Sequence, residues 1–326
     1  MRRREFMTCL ATAMAWPSLS RAQQGERPPR VARVGILNYA GPSYSRVEDF
    51  RNELRALGYV EGQNLIFVHV WADGQSDRLP KLAAELVARK VDVLIALGPA
   101  AWAAKRETSA VPIVIAFSGD LVGTGMVSNI ARPGGNITGF SYMSTDLAGK
   151  RLELLSQTFS RSGKVAVLYN PDEPATALEM RETEAAARVT GVALQPVTAR
   201  QPEDVERAFA AASREGVDGI ILFTHGFVEL NRALIIRQAV RHRLPTMYGW
   251  RDFVVEGGLM SYGPNVQALV REAASYIARI LKGERPGDLP VQQPTNLQLV
   301  VNLKTAKALG LALPPALLTR TDEMIE

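Results

Sequence analysis

Cysteine is nearly absent: the 326 residues hold one, Cys9. One cysteine excludes an intrachain disulfide, and so near the N-terminus it leaves the rest of the chain without thiol chemistry. Histidine is scarce too. His69, His225 and His242 stand far apart, without the clustered ligands a metal site needs. No internal apolar run reaches the roughly 18–20 residues of a membrane-spanning helix. Cofactor and nucleophile motifs are broken. Gly123-Thr124-Gly125-Met126-Val127-Ser128 ends in serine where a dinucleotide loop has glycine. Gly134-Gly135 lacks the Lys-Ser/Thr of a phosphate loop, and Gly258-Leu259-Met260-Ser261-Tyr262-Gly263 is one residue out of step with a nucleophile elbow. No cofactor and no metal are expected, and enzymatic function has no residue set to rest on.

What is present begins with an N-terminal address. Residues 1–22 have a basic start, a short apolar stretch and a small-residue exit at Ser20-Arg21-Ala22, which reads as a secretory signal peptide. Arg3-Arg4-Glu5-Phe6-Met7 resembles a twin-arginine export signal, with a general secretory signal as the alternative. Cys9 lies before most of the apolar stretch, too early for a lipid anchor. The formal charge of the whole chain is +5, but these residues hold four arginines and one glutamate, so 34 Lys+Arg face 32 Asp+Glu in what remains. A net charge of +2 with no basic stripe argues against nucleic acid as a partner, and a regulator of similar lobes would need a DNA-binding headpiece that this chain lacks.

After a Pro-rich tether at 23–32 the pattern is regular. Apolar strands are predicted at 31–39, 64–71, 91–97, 112–117 and 136–142, with amphipathic helices at 47–59, 76–90 and 100–108 between the first four. The rhythm restarts with helices at 145–159, 175–190, 202–216 and 231–243, and strands at 164–170, 192–198, 217–223 and 245–249. Alternating strands and helices imply parallel sheets with right-handed crossovers. Ala131–Phe140, ARPGGNITGF, falls where the first unit gives way to the second, so its glycines read as turn and crossover residues. Further crossings are predicted at 257–265, ahead of a helix at 266–283, and at the extended, Pro-bounded 289–302.

The segments VGILNY, LRALGYVEGQNL, VPIVIAFSGDLVGTGMVSNIARPGGNITGFS, GKRLELL, GGLMSYGPN, LKGERPGDLPVQQPTNLQLVVNLKTAKALGL and TRTDEMIE carry a resemblance that runs nearly end to end. The chain resembles the type I periplasmic solute-binding proteins of ABC importers, and within them a subfamily in which some members bind tryptophan or related aromatic amino acids. The resemblance implies an α/β fold of two doubly wound parallel-sheet lobes, joined by a multi-strand hinge and closing like a flytrap. Lobe 1 is expected at 33–141 plus about 264–288, and lobe 2 at 142–263 plus about 289–326. It also implies an exported, periplasmic monomer that binds one small organic solute, with ABC permease and ATPase subunits as partners. A sensor module of the same build is the alternative, and a two-lobed enzyme a weaker one.

Open α/β sheets bind ligands at the C-terminal ends of their strands. There the sequence places Tyr39, then Gly98, Pro99, Ala100 and Ala101, then Ser118 and Asp120 in the first unit. In the second it places Asn170, Thr224, His225, Tyr248 and Trp250. The start of the helix at 100–108 is expected to hold a carboxylate. Asp120 is expected to pair with an ammonium group, and Tyr39, Tyr248 and Trp250 to stack on a flat ligand. Gly98-Pro99 supplies no hydroxyl, where Ser or Thr would complete a carboxylate clamp.

Overall fold

The computed structural model describes residues 31–42, 46–159 and 163–326. The predicted signal peptide and nearly all of the predicted tether lie outside the described residues. Strand β1 (Ala32–Asn38) already occupies the last tether position.

The first sheet is built by β1, β2 (Leu65–Trp71), β3 (Val93–Leu97), β4 (Ile113–Ser118) and β5 (Ile137–Ser141), in the order β2-β1-β3-β4-β5. All its pairings are parallel. Strand β3 reads VLIAL and is buried at every position, which is why it is a continuous apolar run and not an alternating one. Helix α1 (Val47–Ala56) turns Val47, Phe50 and Leu54 inward; α2 (Leu79–Ala88) does the same with Leu79, Ala83 and Leu86. Each fully buried Leu or Phe contributes roughly 1.5–3 kcal/mol relative to exposure. Helix α3 (Ala100–Glu107) starts two residues after β3 and buries four alanines, so its backbone packs close to the sheet.

The second sheet has the order β12-β11-β10-β9-β8-β6-β7. Its strands are β6 (Lys164–Tyr169), β7 (Ala193–Thr198), β8 (Gly219–Leu222), β9 (Thr246–Tyr248), β10 (Met260–Pro264), β11 (Leu297–Asn302) and β12 (Glu323–Ile325). The main helices around it are α4 (Ser144–Ser156), α5 (Thr176–Thr190), α6 (Pro202–Arg214) and α8 (Arg232–His242). Glycine at Gly191 (φ 71°) stops α5, and α6 opens with a reciprocal cap between Gln201 and Asp204. Two short helices, α7 (Gly226–Leu230) and α9 (Arg251–Val255), follow β8 and β9. They fall outside the predicted elements because five residues are too few to show a helical period. The sheet is not wholly parallel: β11 runs antiparallel to β10.

Helix α10 (Val266–Leu281) leaves the second sheet and packs on α1 and on β3, β4 and β5 of the first. The chain then returns beside β5, where Ser141 N–H donates to Gln292 O and Gln292 N–H to Gly139 O, both at 2.9 Å. The predicted extended segment at 289–302 is therefore a single bridge at Gln292 followed by β11, which starts only at Leu297. Two short helices, α11 (Leu303–Leu309) and α12 (Pro315–Leu318), lead into β12.

Gly134 and Gly135 have φ of 69° and 62°, and Gly134 N–H meets Gly287 O at 3.3 Å. Their role is the turn into β5. Gly139 carries a further constraint: its φ is 144°, and a Cβ there would lie 2.1 Å from Ile115 O on the paired strand. Such a backbone costs a residue with a Cβ about 1–3 kcal/mol before any clash. Gly139→Ala is expected to lower the midpoint of chemical denaturation by at least that equivalent, and a midpoint equal to wild type would mean that β4 and β5 part without penalty.

Candidate functional site

The C-terminal ends of both sheets face one cleft. The elements that follow β1, β3, β4, β6, β8 and β9 supply most of its walls. The cavity measures about 100 Å³, against about 150 Å³ for an apolar cavity that takes up benzene, so it suits a small solute. Among the described residues four aromatic side chains reach it: Tyr39 after β1, Trp102 in the first turn of α3, Tyr142 after β5 and Trp250 before α9. Tyr142 and Trp250 lie ring to ring at 5.5 Å, tilted by 55°, and Tyr142 O–H donates to Gly249 O.

Of the residues predicted for the site, Tyr39, Gly98, Pro99, Ser118, Thr224, His225 and Trp250 line this cleft. The others do not. Ala100 and Ala101, the first two residues of α3, are fully buried against the sheet. Tyr248 is 1% exposed, and its ring stacks on Phe253 at 4.5 Å inside the second lobe. Its strand position turns it into the core, so the expected ligand stacking is corrected. Asn170 accepts from Asp172 N–H at 3.0 Å and Asp120 Oδ1 from Val122 and Gly123 N–H at 3.1 and 2.7 Å. Both side chains close their own turns, so the ammonium partner expected at Asp120 is corrected too.

Three carboxylates that were not predicted take the place of Asp120. Glu173, Glu179 and Glu229 line the cleft, all from the second lobe. Glu229 is paired: Arg232 Nη1 lies 3.0 Å from it. Glu179 faces Arg151 at 3.8 Å and accepts a long bond from Thr224 Oγ1 at 3.4 Å. Arg151, 1% exposed, also donates through Nε to Tyr262 O at 2.8 Å. Burial pushes the Glu179 carboxyl up to about 7, with Arg151 opposing. The Glu173 carboxylate has no ion-pair or hydrogen-bond partner among the described residues. Burial, and after it the charge of Asp172, pushes its carboxyl up to about 7 as well. His225 is driven the other way, to about 3, and is neutral at physiological pH.

Glu173 was within reach of sequence reasoning, since it lies between two prolines in the same strand-end loop as Asn170. Trp102 was too, a lone ring among alanines one turn into α3. Arg46, Glu179 and Glu229, which also line the cleft, gave no signal, because charges in a first helical turn look the same whether they face solvent or a partner lobe.

The lobes touch across the cleft. A Cβ on Gly226 would lie 2.7 Å from Tyr39 Cδ1 and 3.3 Å from Pro99 Cδ, and one on Gly74 2.6 Å from Leu230 Cδ2. Two facing parallel-sheet lobes that enclose a small ring-lined cavity, with helix starts at its edge, make a two-lobed solute-binding protein. Residues 36–325 match the family model described as ABC transporter substrate binding protein, and the chain belongs to that family. It is the substrate-binding component of an ABC transport system. Among solved structures it is similar to a conserved domain protein of Vibrio cholerae, 28% identical with a TM-score of 0.85 over 90% of this chain and 100% of that one. It shares its fold with an ABC domain from Streptococcus pneumonia in complex with L-Trp, at 22% identity and a TM-score of 0.82 over 90% and 99% of the two chains. A curated relative, the tyrosine-binding protein of Clostridioides difficile, is 25% identical over 80% of this chain and 75% of its own length.

The raised Glu173 carboxyl also sets a stability trend. The ordinary value is 4.5, so the folded state holds this proton more tightly than the unfolded state. Its contribution is complete below about pH 4.5 and is lost as pH rises through about 7. Glu173→Gln is therefore expected to raise the melting temperature of the ligand-free protein more at about pH 8 than at about pH 5. An equal shift at both values would show that the carboxylate is solvated.

Proposed function

We propose that the chain captures an aromatic α-amino acid between its lobes, in the periplasm, and delivers it to an ABC permease. The observation that carries this reading is the partnerless Glu173 carboxylate in an aromatic-walled cleft. A partly buried carboxylate without a partner is costly, and a ligand ammonium removes that cost. Tyr39, Trp102, Tyr142 and Trp250 suit a flat side chain, each aromatic contact adding about 0.5–1.5 kcal/mol beyond area burial. The ligand carboxylate is left to the starts of α3 and α5, whose positive dipole ends favour an anion. The relatives support the same class: one is a tyrosine-binding protein and another was crystallised with L-Trp.

Residues 33–141 with about 264–288 then act as one lobe, and 142–263 with about 289–326 as the other, in a monomer that needs no cofactor, performs no catalysis and binds no nucleic acid. Export rests on the leader. Changing Arg3 and Arg4 together to lysine is expected to abolish periplasmic accumulation if the twin-arginine receptor reads the pair, and normal export of that variant would assign the general secretory route.

The ligand class is tested by titration calorimetry against tyrosine, tryptophan, phenylalanine and leucine, alongside mass spectrometry of any ligand that co-purifies. Glu173→Gln is expected to weaken the amino acid that binds best by about 1.5–3 kcal/mol, the range for hydrogen bonds to charged groups. Trp102→Leu is expected to weaken the aromatic ligands more than leucine. Unchanged affinity in Glu173→Gln would remove the ammonium contact and with it the amino-acid reading.

A further inference from the structure

Closure of a two-lobed binding protein is ordinarily ascribed to the ligand, which touches both lobes only when they meet. In this protein the lobes also meet through their own charges. Arg46 stands at the start of α1, the helix that packs with α10 over the first sheet. Its Nη2 donates to Asp252 Oδ2, on α9 of the second lobe. The same Oδ2 lies 3.9 Å from Arg232 Nη1. Arg232 in turn holds Glu229 at 3.0 Å and Glu256 at 2.7 Å, and its guanidinium sits 5.7 Å from the centre of the Phe253 ring. On the first lobe, Arg46 Nη1 faces Asp49 at 3.7 Å. The result is a chain of charges from α1 to α8 and α9, with one carboxylate oxygen shared by an arginine from each lobe.

Three features set this chain apart from a chance surface pair. First, it is partly shielded: the Arg46, Asp252 and Arg232 side chains are 24%, 30% and 10% exposed. At that exposure the contact between Arg46 and Asp252 is held by the protein yet still reached by salt at high concentration. Second, it lies at the edge of the cleft. Arg46 and Glu229 line the cavity, whereas Asp252, Arg232 and Glu256 do not. Third, Arg46 is held at φ 53° and ψ 13°, a left-handed conformation unusual for a residue with a Cβ, and its side chain makes no cap to α1. The side chain is committed to the other lobe instead. A non-glycine residue kept in that region at a functional site is the kind of outlier from which a role is inferred.

We propose that Arg46, Asp252 and Arg232 form an interlobe latch that favours the closed lobes independently of ligand and so positions the cleft walls for capture. The proposal does not rest on the aromatic amino-acid reading, because the latch residue Asp252 meets no ligand. It predicts that part of the free energy of closure is supplied by the protein, and that affinity is tunable from outside the cavity. Removing one partner is expected to shift the closed-to-open ratio about fivefold, near the upper end for a partly exposed pair. The affinity for any solute that requires closure falls in proportion to the closed fraction, by at most the same factor.

The test is small-angle scattering on the mature protein freed of ligand, at about 20 mM and about 1 M NaCl, where the screening length drops to about 3 Å. For wild type the radius of gyration is expected to be small at low salt and larger at high salt. Asp252→Asn is expected to show the larger radius at both, and Arg46→Gln the same. The double variant adds nothing further, since both substitutions open one contact. Gly226→Val, which wedges the cleft against Tyr39 and Pro99, supplies the radius of opened lobes. If Asp252→Asn keeps the wild-type radius and its salt response, the latch does not exist. If the variants do not fold by circular dichroism, the wild-type salt series alone decides, and a radius indifferent to salt overturns the proposal. Binding of tyrosine or tryptophan is measured separately, so a failure of the ligand reading leaves this result untouched.

Discussion

Charge taken out of water needs a partner, and the cleft of this protein is organised around that constraint. Taking a carboxylate into a low-dielectric space costs several kcal/mol unless an opposite charge or donors meet it. Among the described residues four charged side chains line the cleft, and three find partners within the protein: Glu179 with Arg151, Glu229 with Arg232, and Arg46 with Asp252. Glu173 alone is left over. The aromatic walls contribute contact area of little directionality. Burial, and after it the charge of Asp172, raises the Glu173 carboxyl to about 7.

That imbalance is possible because of the architecture. Parallel strands end together, so every helix that follows one begins on the same side of its sheet. Two such sheets facing each other bring the starts of α3, α5, α7 and α9 to one space, where short loops supply side chains. The sheets are rigid and buried, while the loops after β1, β6 and β8 carry the residues that vary in chemistry: Tyr39, Glu173 and His225. A site made on strand ends can tolerate an unsatisfied group because the cores beneath it, closed by residues such as Phe50, Leu54, Phe209 and Ile277, do not depend on it.

Much of the fold was legible in the residues. Continuous apolar runs such as VLIAL read as buried parallel strands, and the spacing of Phe50, Leu54 and their neighbours as an amphipathic helix. Both patterns are local and periodic. The glycine turn at Gly134-Gly135 read as structural, and the structure shows it closing against Gly287. What escaped was short or non-local. The five-residue helices α7 and α9 have no period to detect. The antiparallel join of β11 to β10 depends on where the chain returns after α10, which no local pattern records.

Within the site, the strand-end rule located the cleft but not its chemistry. Tyr39, Pro99, Thr224, His225 and Trp250 were reachable because position along a strand is a local property. Asp120 and Tyr248 were misread because orientation is not: Asp120 turns back to its own amides, and Tyr248 turns into the second core against Phe253. The sequence by itself determined the alternation of elements, the parallel sheets and the set of loops that meet a ligand, since these follow from periodicities of two and 3.6 residues. Only the tertiary structure decided which charges pair, because Arg46 and Asp252 are 206 positions apart and become neighbours solely when two separately folded sheets face each other.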